Sequence, residues 1–201
     1  MEKFTRIKGI AAHLPEDHIS ADRILPHDAL QTLHRAGLGK FLFAAERYDD
    51  NGREKQDFIL NKPAWRRAAV FVVGKNFGHG APPDHLFWSM IDFGIRTVIA
   101  ASFAPAFEAG CYKHGILPVT LPESEVQKLG EAAENKVLVT VDLDRQTVST
   151  DDGYTTKFKT DSFQRHCLLA GLDDIGLTLE HEDAIYAFEK RQREDLFWLF
   201  S

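Results

Sequence analysis

Residues 69–103, AVFVVGKNFGHGAPPDHLFWSMIDFGIRTVIAASF, constrain the fold more tightly than any other stretch. Positions 69–73 hold only alanine, β-branched and aromatic side chains, the pattern of a strand covered on both faces. A loop carrying Gly74, Gly78 and Gly80 follows, then a helical stretch to about Phe93 that Gly94 is placed to stop. Residues 97–101 read as a second apolar strand. In this strand–helix–strand unit the loop leaves the carboxyl end of a strand beside a helix N-terminus, where open α/β sheets put their ligands.

The chemistry of that loop is unusual. A helix N-terminus binds anions through free N–H groups and its dipole. Pro82 and Pro83 remove two such donors, and Asp84 adds a negative charge in the first turn. Such a loop is a poor cradle for a carboxylate.

Composition excludes several classes. The 201 residues suffice for a sizeable core, and 24 basic against 30 acidic residues give a net charge of −6. With no long basic run, nucleic acid is not an expected partner. The two cysteines, Cys111 and Cys167, are too few for a disulfide framework and lack metal-site spacing, which suggests a reducing compartment. No apolar run approaches membrane-spanning length and the N-terminus lacks a signal-peptide core, so a cytoplasmic location is expected.

Along the chain, residues 4–12 read as a first strand. Residues 14–20 form a loop in which Ser20 is a candidate N-cap. Residues 26–36 read as a short helix ended by Gly37. Arg35, Lys40, Arg47 and Lys55 are candidate anion contacts, although each reads more naturally as a solvated surface charge. Lys113 and His114 fall on an expected loop within 103–119. Residues 122–135 suggest a surface helix, and 137–143 with 146–149 alternate as strands around a turn at Asp144 and Arg145. A hairpin signal at Asp151-Asp152-Gly153 leads to a strand at 154–159. A short helix over 162–170 is capped by Gly171, with His166 and Cys167 in packing roles. From Thr178 one amphipathic helix is expected, followed by the apolar run Leu196-Phe-Trp-Leu-Phe200, which must fold back onto the domain or dock on another chain, docking being the favoured reading.

Several pieces carry a family resemblance over nearly the whole chain: DRILP at 22–26, GKFLF at 39–43, FILN at 58–61, NFG at 76–78, and FKTDSFQRHCLLAGLDDIGLTL at 158–179. On these the chain resembles the small subunit of 3-isopropylmalate dehydratase, the swivelling domain of the aconitase superfamily. The resemblance implies an α/β fold, one β/β/α swivelling domain over 1–201. It would have a curved mixed sheet or barrel-like core flanked by helices, and a helical tail at about 180–201. It also implies a hydro-lyase of leucine biosynthesis in which a separate large subunit holds a [4Fe–4S] cluster. No cofactor or metal is expected in this chain itself. The expected partners are that large subunit or a second copy, and a small carboxylic acid or related metabolite.

The family's loop reads NFGCGSSREHA, where this chain has NFGHGAPPDHL. Ala81 and Pro82 replace two serines, the first of them the family's catalytic base, and Pro83 replaces the arginine that grips a substrate carboxylate. His79 stands for a cysteine, Asp84 for a glutamate, and His85 is kept. A second family loop, DTD, is here Ser20-Ala21-Asp22. In a third, Glu108, Gly110, Lys113 and His114 fill positions usually held by Tyr and Asn. Asp22, Asn76, Gly78, Gly80, Ala81, Lys113 and His114 are therefore the candidate substrate contacts.

Three readings stay open. The chain is a small subunit with an altered substrate or reduced isomerase activity, in which His79, Asp84 or His85 supplies acid–base chemistry. Alternatively it is a non-catalytic relative that binds a partner or a metabolite. In the third, His79, Asp84 and His85 form an independent site, although H-x4-D-H matches no strong metal signature.

Overall fold

The computed structural model describes residues 1–31, 34–196 and 198. The chain opens with strand β1 (Arg6–Leu14), a short helix α1 (Ala21–Ile24), and three single 3-10 turns interrupted by helix α2 (Ala44–Arg47). A regular alternation follows: β2 (Val70–Val73), α3 (Asp84–Phe93), β3 (Thr97–Ala100), α4 (Pro105–His114), β4 (Leu117–Thr120) and α5 (Glu123–Glu134). Strands β5 (Leu138–Asp142), β6 (Thr147–Thr150) and β7 (Thr155–Lys157) precede helices α6 (Ser162–Ala170), α7 (Asp174–Leu179) and α8 (Glu182–Asp195).

One curled seven-stranded sheet runs in the order β4-β3-β2-β1-β5-β6-β7. The long β1 makes it mixed: Ala11–Leu14 pair parallel with Val70–Val73, whereas Arg6–Ile10 pair antiparallel with Asp142–Leu138. The parallel half grows outward through β2, β3 and β4, and the antiparallel half is a meander. This is the curved mixed sheet that the family resemblance implies.

Alternation along β2 splits its side chains between two cores. Phe71 and Val73 join Leu86, Met90 and Phe107 under α3 and α4. Val70 and Val72 join Leu129 of α5, Val139 and Phe158 on the opposite face. Every residue of β2 is buried, as its uninterrupted apolar run requires. At about 25 cal/mol per Å², each such large side chain contributes roughly 1.5–3 kcal/mol.

Several sequence expectations are corrected. Lys113 and His114 are not on a loop but are the last two residues of α4, which has Pro105 in its first turn and Gly115 (φ 78°) at its end. Residues 27–31 form a 3-10 turn instead of a helix, and the rest of the expected helix includes positions 32 and 33, outside the described residues. Helix α5 is less superficial than expected, with Val126, Leu129, Gly130, Ala132 and Ala133 buried. The tail holds two helices. Asp173 accepts from the Gly176 N–H and starts α7 four residues early, and a break at His181 separates it from α8. Within the apolar run 196–200, positions 197, 199 and 200 lie outside the described residues.

Arg47 is the largest departure. It is not a solvated charge but 7% exposed, donating from Nε to Asn61 Oδ1 (3.0 Å) and from Nη1 to the carbonyls of Gly39 (2.9 Å) and Leu42 (3.4 Å). Asn61 returns bonds to the Arg47 (2.6 Å) and Lys55 (2.9 Å) carbonyls. Burial holds the guanidinium's pKa below its ordinary value. This network anchors the irregular segment between α1 and β2 that lies against α3.

Candidate functional site

The loop between β2 and α3 is held by main-chain pairing on both sides. The Gly78 N–H donates to the Ile19 carbonyl (2.8 Å), and the Ala21 N–H to the His79 carbonyl (2.8 Å). The Ala104 N–H donates to the Phe77 carbonyl (3.0 Å). The loop therefore lies as an extra extended segment between the β1–α1 connection and the start of α4. Gly78 is explained by packing: a Cβ there would sit 2.3 Å from the Phe107 ring. It is buried and shapes the loop from below.

Two clusters emerge from the candidate residues. In the first, Asn76 takes a left-handed conformation (φ 52°), its N–H donating to Ser102 Oγ (2.9 Å) and its side-chain Nδ2 to His18 Nδ1 (2.9 Å). The His79 Nε2 donates to the His18 carbonyl (2.8 Å). Because a carbonyl only accepts, that bond places the hydrogen on Nε2 and makes Nδ1 the nitrogen that can take up a proton. Asp22 is exposed in the first turn of α1, which Ser20 caps beside the His79 carbonyl; Gly80 (φ 105°) and Ala81 are exposed next to it.

The second cluster gathers at the far end of the loop. Asp84 Oδ1 lies 3.4 Å from His114 Nε2 and 3.5 Å from Lys113 Nζ. His114 stacks on Phe87 at 4.8 Å and an interplanar angle of 9°, and its Nδ1 donates to the Gly110 carbonyl (2.9 Å). Partial burial lowers the His114 pKa, which the Gly110 hydrogen bond and the Asp84 charge push back up. Gly110 is required here, since a Cβ would lie 2.1 Å from the Phe87 ring. His85 packs at a tilt against Trp88, with ring centroids 4.8 Å apart.

The three expected acid–base residues therefore do not form one group. His79 belongs to the β1–α1 side and Asp84 to the end of α4, and no ion pair joins these two among the described residues. Sequence reasoning missed His18, which ties Asn76 to His79, because nothing local marks it. It also missed Trp88, although four residues after Asp84 on a helix is the same face.

Among the described residues no three His, Cys, Asp or Glu side chains are placed to hold a metal, which removes support for a metal site at His79, Asp84 and His85. An iron–sulfur cluster does not fit this chain either. Cys111 is fully buried and Cys167 nearly so, with burial pushing both thiols up from their ordinary pKa. No helix among the described residues is long and apolar enough to cross a membrane.

A curled sheet that is parallel on one side of a central strand and antiparallel on the other, with the loop after β2 at its rim, is the architecture of the aconitase C-terminal domain. That family matches residues 1–124, and residues 174–201 match the C-terminal domain of the 3-isopropylmalate dehydratase small subunit. The small subunit of 3-isopropylmalate dehydratase from Parvibaculum lavamentivorans is 49% identical over 201 residues, covering 99% of this chain and 100% of its own. That from Paramagnetospirillum magneticum is 50% identical over 201 residues with the same coverage. The crystal structure of a 3-isopropylmalate dehydratase from Methanocaldococcus jannaschii shares the fold, with a TM-score of 0.68 at 23% identity over 92% of this chain and 99% of that one. This chain belongs to the 3-isopropylmalate dehydratase small-subunit family. A small subunit implies a large one as partner.

Proposed function

We propose that the chain works as one unit, in the cytoplasm, as the small subunit of a hydro-lyase–isomerase of the 3-isopropylmalate dehydratase type. A large subunit would carry the cluster, and the substrate is altered or the isomerase activity reduced. Asp84, His79 and His85 are the acid–base candidates; of the candidate substrate contacts, Asp22, Asn76, Gly78, Gly80 and Ala81 belong to the His79 side of the loop and Lys113 and His114 to the Asp84 side.

The observation that carries this reading is the state of the α3 N-terminus. Its cap is Pro83, with no side-chain hydrogen bond, and the first turn presents Asp84 to Lys113 and His114. The positive end of the helix dipole and two basic side chains already face a carboxylate of the chain itself. A dicarboxylate arriving there meets repulsion and lacks the fork of an arginine.

Restoration tests it. Ala81→Ser, Pro82→Ser and Pro83→Arg together return two hydroxyls, two N–H donors and a guanidinium. Calorimetry should show dicarboxylate binding by the triple variant and none by the parent. A folded triple variant without that gain contradicts the claim that this loop sets the substrate.

The non-catalytic reading draws support from His79, whose Nε2 is engaged in holding the loop to His18. Binding without turnover in the assembled complex would select it.

A further inference from the structure

His18 and Asn76 lie on the two segments that meet beneath the β2–α3 loop, and both take left-handed backbone conformations, with φ of 59° and 52°. A residue with a Cβ pays for that conformation, and keeps it only where its surroundings impose it. Here the two impose it on each other. The His18 N–H donates to the Lys75 carbonyl (2.9 Å), and Asn76 Nδ2 donates to His18 Nδ1 (2.9 Å). Asn76 is fixed from its other side by its own N–H on Ser102 Oγ (2.9 Å). One residue back, the Asp17 carboxylate accepts from the Lys75 N–H (2.8 Å) and lies 3.3 Å from Lys75 Nζ. The segments run so close that a Cβ on Gly74 would sit 2.2 Å from the Glu16 carbonyl oxygen.

Core packing does not explain this clamp, because Asp17, His18, Lys75 and Ser102 are all exposed. What the clamp does is aim one carbonyl. The left-handed turn at His18 directs its C=O to the His79 ring, where it accepts the Nε2 hydrogen (2.8 Å). A carbonyl on one imidazole nitrogen fixes the ring's rotation and leaves the other nitrogen, Nδ1, as the base. An acid–base histidine needs such an orienting partner behind it.

We propose that His18 is a positioning residue for His79, supported by Asn76 and Asp17. The His18 ring keeps the turn in place through Asn76, and its main-chain carbonyl holds His79 with Nδ1 available for proton transfer. The inference rests on the reading that His79 is an acid–base residue of the small-subunit site.

The test uses the full chain alone, carrying nitrogen-15-labelled histidine. In the parent, the His79 Nε2 proton should give a resolved resonance that exchanges with solvent about tenfold or more slowly than that of a free imidazole. His18→Ala and Asn76→Ala each remove one half of the side-chain bond and should return exchange to the free rate. His18→Asn should keep the protection, because asparagine tolerates a left-handed backbone and its Oδ1 can accept from Asn76 Nδ2. Circular dichroism checks that each variant is folded, and Asn76→Ala carries the test if His18→Ala is not. An unprotected proton in the parent, or unchanged protection in a folded alanine variant, would overturn the proposal. In complex with a cluster-loaded large subunit, a His79→Ala variant as active as the parent would overturn the acid–base reading. The positioning role would fall with it even where the proton result holds, so the two failures are told apart.

Discussion

His79 and His114 are held in opposite tautomers by main-chain carbonyls. His79 donates from Nε2 to His18 (2.8 Å), and His114 from Nδ1 to Gly110 (2.9 Å). Each ring thus presents a different nitrogen for proton uptake, and among the described residues only that of His114 has a carboxylate beside it, Asp84 at 3.4 Å. Nitrogen-15 NMR of the neutral rings should show Nδ1 unprotonated in His79 and Nε2 unprotonated in His114. Asp84→Asn removes a charge that raises the His114 pKa, so its titration midpoint should move down. An unmoved His114 midpoint would contradict the pairing.

Stability should respond to pH through His114. Burial, the largest influence, puts its folded-state pKa below the ordinary 6.5 of the unfolded chain. Just below pH 6.5 the unfolded chain therefore binds more protons than the folded one, and stability rises with pH across that window. The contribution is complete above pH 6.5 and is lost as pH falls through the folded pKa. Glu16, Asp17 and Asp173 are also shifted down, but they act only below their ordinary values of 4.5, 3.8 and 3.8. Denaturation midpoints between pH 7 and 5 should decline in the parent and flatten in His114→Phe. A parent curve that is flat or rises on acidification contradicts this.

Arg47→Met should be strongly destabilising. It leaves the Gly39 and Leu42 carbonyls and Asn61 Oδ1 without their donor, a loss of about 3 kcal/mol. Thermal unfolding should fall by roughly 6–12 °C for a chain of this size. Arg47→Lys should recover little, because one ammonium cannot replace a planar fork. A shift within about 1 °C would mean that the network is dispensable.

Local patterns explain what was legible in the sequence. The βαβ unit was readable because Val70–Val73 is apolar without interruption and Gly94 (φ 113°) closes α3 where the periodicity ends. The same punctuation, Pro105 and Gly115, frames α4. That helix was hidden by Gly110 in its interior, whose purpose, room for the Phe87 ring, is a tertiary fact. Arg47 was illegible for a similar reason. Its partners, Gly39, Leu42 and Asn61, are scattered along irregular chain, and no spacing rule links them. The candidate site divides the same way: the loop residues were found as a contiguous run, but their separation into two clusters depends on His18 and on where α4 ends.

This chain keeps the fold of the small-subunit family, and we propose that its α3 N-terminus no longer serves an isopropylmalate-type dicarboxylate. The direct measurement is turnover of isopropylmalate by this chain mixed with a cluster-loaded 3-isopropylmalate dehydratase large subunit, with complex formation verified by light scattering. Losing a positioned base and a carboxylate-binding guanidinium should lower the rate by about 10²–10⁴-fold or more relative to an authentic pair. Turnover within tenfold of that pair would contradict the account.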